Sequence, residues 1–282
     1  MNHSATSLWA AVLQVYHPRF IRATIRRLDA EPLSYSLPRA AISSRVFWVL
    51  ATVSVSLWFI HYGRLFSSFE HFLALCLSPQ AHKNILQSAW LPLFGYIWWT
   101  SVHLVGYLLL PWMLARWVLK QSIQDWGLRL NKTMQHWRGY VVVVAPILVF
   151  IGVVSQGENF VNHYPFYVHA GRSWVDLIAW ECLYILQFIL LEFFFRGFLL
   201  GTLRPVLGVS AVFVMCVPYM MIHLPKLPLE AFGAIIFGLL LGLLALQSRS
   251  IWGGVAVHTV IALSMDITAL WQKGSWPSQW MP

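Results

Sequence analysis

Residues 174–200 read WVDLIAWECLYILQFILLEFFFRGFLL. The run is apolar for more than the roughly 20 residues that a helix needs to cross the hydrocarbon core of a bilayer. Its second half contains Glu192 and Arg196, four residues apart, a spacing that puts both on one helix face within pairing distance. A central carboxylate or guanidinium costs about 2.5–3.5 kcal/mol on insertion scales, so their presence asks for a partner or a function. The stretch therefore predicts a membrane span and marks a site inside it.

Working outward, six further apolar stretches come close to spanning length, at 46–62, 91–114, 140–154, 209–222, 231–246 and 251–271. The predicted fold class is all-α, a polytopic transmembrane helical bundle of about seven spans. Composition agrees: of 282 residues, 59% are hydrophobic and 10% charged, against roughly 25% charged in a soluble domain. Secreted, cytosolic, fibrous and disordered classes are set aside. Cys76, Cys182 and Cys216 stand in no paired or metal-type spacing, so no disulfide framework is expected.

The net charge of +9 would suggest nucleic acid in a soluble protein. Here its distribution reads as topology. Arg19, Arg22, Arg26, Arg27, Arg39 and Arg45 precede the first span, and five more basic residues lie between Arg116 and Arg138. With the N-terminus in the cytoplasm, only Arg64, Lys83, Arg172, Lys226 and Lys273 fall on the outer side, as the positive-inside rule requires. A multi-pass protein of the cell membrane is expected, with the lipid bilayer as a partner and no nucleic acid. Residues 1–45 read as a basic interfacial or cytoplasmic arm, 46–172 as N-terminal spans with a cytoplasmic loop, 173–272 as the functional core and 273–282 as a tail. Trp126 and Trp137, in the loop of residues 116–139, are expected at the headgroup level.

Three other groups break the lipid rule. His223 lies in Tyr219-Met-Met-Ile-His-Leu-Pro225, with Glu230 opening the next span. His258 lies in Gly253-Gly-Val-Ala-Val-His-Thr-Val260, and Asp266 follows two turns later. Counted from the inner ends of their spans at 1.5 Å per residue, Glu192 is about 12 Å deep and His258 about 10 Å, whereas His223 on an upright helix is about 21 Å deep. Gly233, Gly238 and Gly242 read as close-packing positions between helices.

A glutamate and a histidine aimed at one water can deprotonate it for attack on a carbonyl, and a second histidine can donate to the oxyanion that develops. Arg196 would orient the Glu192 carboxylate. Alternatively, Glu192, His223 and His258 would ligate a catalytic zinc, with a fourth position left for water. The residues alone leave both arrangements open.

The segment from about 174 to 271 resembles the core of the CPBP intramembrane proteases, which include the type 2 CAAX prenyl proteases and the ABI-like bacteriocin-processing proteins. The resemblance rests on a Glu-Glu-x-x-x-Arg run, matched by Leu191-Glu192 through Arg196, a Phe-x-x-x-His run, matched by Tyr219 through His223 with tyrosine in place of the phenylalanine, and a final His-x-x-x-Asn or similar, matched by His258 through Ala262. The phrase Ser250-Ile-Trp-Gly-Gly-Val255 shares the family's look. Leu191 replaces the first glutamate and Ala262 the final asparagine; Glu230 and Asp266 are the carboxylates that could substitute, and Tyr219 adds a hydroxyl.

The resemblance implies an intramembrane endopeptidase, glutamate-type or metallo-type, acting on a membrane-associated protein or peptide. Its catalytic set would be Glu192, Arg196, His223 and His258. Two rivals make different demands: an inactive binding or immunity factor with this fold does not need the Glu192 carboxylate for its activity, and a proton-linked transporter would use Glu192 and the histidines as a relay.

Overall fold

The structure, a computed structural model, describes residues 8–31, 38–130 and 133–282. The beginning of the basic arm and residues 32–37 lie outside the described residues. The fold is all-α and polytopic, with no strand among the described residues. We number its helices α1 (Leu8–Val15), α2 (Pro18–Asp29), α3 (Arg39–Gly63), α4 (Phe66–Cys76), α5 (Pro79–Leu86), α6 (Leu91–Leu119), α7 (Met134–Val154), α8 (Glu158–His163), α9 (Trp174–Leu207), α10 (Ser210–Met221), α11 (Pro228–Ser248) and α12 (Trp252–Lys273).

Six of these, α3, α6, α7, α9, α11 and α12, are long and apolar enough to cross a membrane. The remaining expected span is α10, whose 12 residues cover about 18 Å and fall short of a hydrocarbon core about 30 Å thick. Several helices also outrun their apolar cores. α9 continues past Leu200 to Leu207, and α3 begins at Arg39, before the apolar run.

The chain divides into two compact units. The first comprises residues 1–50, 114–149 and 192–257; the second comprises 51–113, 150–191 and 258–282. The first unit carries 15 of the 19 basic residues against 5 acidic ones, and the second carries 4 against 5. All of the excess positive charge thus belongs to one unit.

In the first unit, α2 starts from an N-cap at His17, whose ring accepts from the Arg19 amide, with Pro18 at the first helical position where its missing N–H costs nothing. Its inward stripe is Ile21, Thr24, Ile25 and Leu28, while Arg19, Arg22, Arg26 and Arg27 are exposed. Its end is anchored where Arg204 donates to the Leu28 carbonyl and pairs with Glu31. α10 and α11 pack closely. A Cβ on Gly238 would come within 2.9 Å of the Tyr219 ring, and one on Gly242 within 2.8 Å of Val212, as the close-packing reading requires. Gly233 has nothing near its Cβ position, so that expectation fails there.

The segment between α6 and α7 folds under the turn from α11 to α12. The Gly127 carbonyl accepts from the Ile251 amide, the Leu128 carbonyl from the Trp252 indole, and Thr133 donates to Ser250. Gly127 needs its glycine, with φ of +80° and Ile251 N only 3.2 Å from a Cβ position. Trp126 is consequently a core residue, 3% exposed and packed on Phe193 and Phe198, and not the headgroup anchor that its neighbours suggested. Trp137 is exposed, as that role requires.

In the second unit, Ser173 caps α9 by accepting from the Asp176 amide, and Arg172 grips the Asp176 carboxylate through Nε and Nη2. The Trp174 and Val175 amides, which a helix start leaves without partners, donate to the carbonyls of Gln279 and Trp280 in the tail. Burial and its hydrogen bond to Asp176 push the Tyr167 phenol well above its usual range, so it serves there as a neutral donor.

Candidate active site

The site in the first unit begins where α9 changes its winding. Up to Glu192 the helix is regular; from Phe193 to Leu200 it widens into i to i+5 turns, a form that recurs at functional sites. Every residue of the widened segment is buried. Gly197 lets it approach its neighbour, since a Cβ there would lie 2.9 Å from the Trp126 carbonyl oxygen. Arg196 Nη1 donates to Glu192 Oε1 at 2.9 Å, and both side chains are fully buried. Such an ion pair is costly to desolvate and very costly to leave half-made, so its members act as one unit.

Two further groups fix this pair. The Arg196 guanidinium lies 4.1 Å from the centre of the Tyr219 ring, a close cation–π contact. Tyr219 is 1% exposed and held against Phe195 on one side and Gly238 on another. The other Glu192 oxygen, Oε2, lies beside the α12 backbone at Gly254. Any Cβ on Gly254 would overlap the carboxylate, at 2.2 Å, and one on Gly253 would overlap the Tyr140 ring, at 2.0 Å. Tyr140 is itself held by a 2.9 Å hydrogen bond to Ser248.

His223 joins the same group by a different route. α10 stops at Met221, and the His223 amide turns to the Met220 carbonyl, which frees the Tyr219 carbonyl at the helix end. His223 Nδ1 takes that carbonyl at 2.7 Å. A carbonyl can only accept, so Nδ1 carries the proton and Nε2 of the neutral ring holds the lone pair. The His223 and Tyr219 rings are 4.7 Å apart. The depth mismatch expected for His223 is bridged by Tyr219, one helical turn earlier, which carries contact from His223 to Arg196 and on to Glu192.

Glu230 pairs with Lys226 across one turn, so part of the carboxylate's capacity is taken by that lysine. Glu192, Arg196, Tyr219, His223 and Glu230 all belong to the first unit, whereas His258 and Asp266 belong to the second. There α9 presents Trp180, Tyr184 and Phe188 at four-residue intervals, and successive rings lie 4.7 Å apart. His258 is buried and stacks on Phe188 at 5.4 Å. Asp266 is fully buried and accepts from the Trp180 indole at 2.7 Å.

Among the described residues, no three His, Cys, Asp or Glu side chains are grouped so as to hold a metal ion. The zinc reading of Glu192, His223 and His258 thus finds no such group among them. Sequence reasoning missed Gly253, Gly254, Tyr140 and Trp126 as parts of the site. The adjacent glycines inside an otherwise bulky helix were the available signal.

Residues 172–264 match the family described as type II CAAX prenyl endopeptidase Rce1-like. No curated protein and no solved structure matches the chain significantly. The match covers the end of the loop before α9 and continues into α12, and so includes Glu192, Arg196, Tyr219, His223, Glu230 and His258. The six apolar helices and this match point to a multi-pass membrane protein whose residues 172–264 are similar to a protease family.

Proposed function

We propose that this chain, whose residues 172–264 match the type II CAAX prenyl endopeptidase Rce1-like family, is an intramembrane endopeptidase that cleaves a membrane-associated protein or peptide. Glu192 is the general base. It removes a proton from a water whose oxygen attacks the scissile carbonyl, and it returns that proton to the departing amine as the peptide bond breaks. His223 helps to orient the water. His258 donates to the oxyanion of the tetrahedral intermediate. Arg196 holds the carboxylate in place, and Tyr219 holds Arg196.

The observation that carries this reading is the buried Glu192–Arg196 pair with one carboxylate oxygen against the bare backbone of Gly254. Gly254 leaves room for the carboxylate itself, so the base is held in one position by the α12 backbone on one side and by Arg196 on the other. The basic first unit supports a cytoplasmic N-terminus in the cell membrane. The family description makes a peptide with a prenylated CAAX end the first substrate to test, with unprenylated membrane-associated peptides beside it.

The test is cleavage of such peptides by the purified protein, reconstituted in lipid, beside Glu192→Gln. A loss of about 10²-fold or more in turnover is expected of general-base removal. A binding or immunity factor of this fold, which Leu191 in the place of the family's first glutamate favours, predicts that Glu192→Gln keeps full biological activity.

A further inference from the structure

A second cavity, separate from the peptidase residues, lies in the first unit. It has a volume of about 260 Å³ and three walls, from α2, α7 and α11. The α11 wall is one stripe, Leu240, Leu243, Leu244 and Gln247, at the i, i+3, i+4 and i+7 positions. The α7 wall runs from His136 and Arg138 past Gly139 to Val143. Gly139 keeps it open, since a Cβ there would lie 2.8 Å from Leu244.

Both walls change character in the same direction. His136, Arg138 and Gln247 are at the ends of their spans, whereas Val143 and Leu240 are each seven residues further in, about 10 Å at 1.5 Å per residue. Along α7 and α11 the cavity is therefore polar and cationic at the level of a headgroup and apolar one to two turns deeper, while α2 contributes Phe20, Ile21 and Thr24. Among the described residues, no acidic side chain lines it. Ile21 of α2 closes the third side, and that arm is fixed by the Tyr16 hydroxyl, which donates to the Val143 carbonyl at 2.8 Å. Burial pushes the Tyr16 phenol up to about 12, so it remains a donor at neutral pH.

We infer that this cavity seats one anionic phospholipid, with its phosphate at Arg138 and His136 and an acyl chain along Val143 and Leu240. The volume lies below the range of roughly 300–1,000 Å³ typical of drug-sized ligands, which suits a single hydrocarbon chain and leaves no room for a folded peptide. The charge also fits. The unit that contains the cavity holds 15 basic residues against 5 acidic ones, a surplus suited to an anionic partner. Arg138 also lies 5.8 Å from the ring of the exposed Trp137, a pairing suited to the membrane interface. The inference is independent of the peptidase reading and stands or falls without it.

The experiment is thermal unfolding of the full chain in neutral detergent, titrated with phosphatidylglycerol, phosphatidylcholine or free glycerol phosphate. Phosphatidylglycerol is expected to raise the unfolding temperature saturably, and the other two are not. The double variant His136→Gln/Arg138→Gln, which alters only partly or fully exposed side chains, is expected to need at least tenfold more phosphatidylglycerol for half the shift. Arg27→Gln, exposed but outside the cavity, is expected to titrate like the parent. Equal shifts with phosphatidylcholine, a full shift with glycerol phosphate alone, or equal weakening by Arg27→Gln would each overturn the seat.

Discussion

Glu192 Oε2 occupies the space where a side chain on Gly254 would begin: a Cβ built on that glycine lies 2.2 Å from the oxygen and 2.5 Å from the carboxyl carbon. The carboxylate cannot simply swing aside, because its other oxygen is held by Arg196 at 2.9 Å inside a fully buried pair. The position of the proposed base is thus set by what α12 lacks as much as by what α9 provides.

Gly254→Ala should therefore displace the carboxylate and lower turnover by about 10²-fold, the scale of a misplaced general base, while the protein still purifies as a folded species. Gly253→Ala, whose Cβ would strike the Tyr140 ring, should instead cost about 1–3 kcal/mol of stability through overpacking. Turnover and unfolding measured on both variants separate the two effects.

Removing the cationic member of the buried pair should cost stability as well as turnover. Arg196→Ala leaves the Glu192 charge buried without its partner, an outcome that costs about 3–5 kcal/mol. Glu192→Gln/Arg196→Met, which removes both charges and keeps volume, should recover most of that stability and none of the turnover. Denaturation curves beside cleavage rates check this; recovery of cleavage in the double variant would count against Glu192 as the base.

Tyr219 should matter for its ring. The guanidinium rests on the ring face at 4.1 Å, so Tyr219→Phe keeps the contact and should leave turnover within a few-fold of the parent. Tyr219→Leu removes a desolvated cation–π contact of about 2 kcal/mol and should lower both stability and turnover. A strong effect of Tyr219→Phe would point instead to the hydroxyl.

Asp266 should prove structural. It accepts from the Trp180 indole in a fully buried setting, and losing that partner leaves a buried donor unsatisfied at about 1–3 kcal/mol. Asp266→Ala should lower the unfolding temperature and leave the cleavage rate of the folded fraction near the parent value.

Much of this fold was legible because lipid leaves few options: the backbone must satisfy itself in helices, and long apolar runs announce them. The length of α10 was less legible. Its hydropathy equals that of a span, but Pro225 and the turn at His223 end it early, and hydropathy alone does not register an end. Glu192, Arg196 and the two histidines stood out as polar groups in hydrocarbon. The residues that hold them did not, because Gly254, Tyr140 and Trp126 do their work by size and shape, and those follow from the approach of helices distant in the sequence. Trp126 shows the limit plainly: its polar neighbours suggested the interface, while Gly197 and the widened turn of α9 admit it to the core.

The central claim is that Glu192 and His223 serve one reacting centre, although they stand on different helices. The most direct measurement is the cleavage rate of Glu192→Gln, His223→Ala and the double variant in lipid. Residues that act as one catalytic unit lose activity non-additively, so the double variant should be about as slow as the slower single one. Losses that multiply, or a Glu192→Gln variant as fast as the parent, would contradict the account.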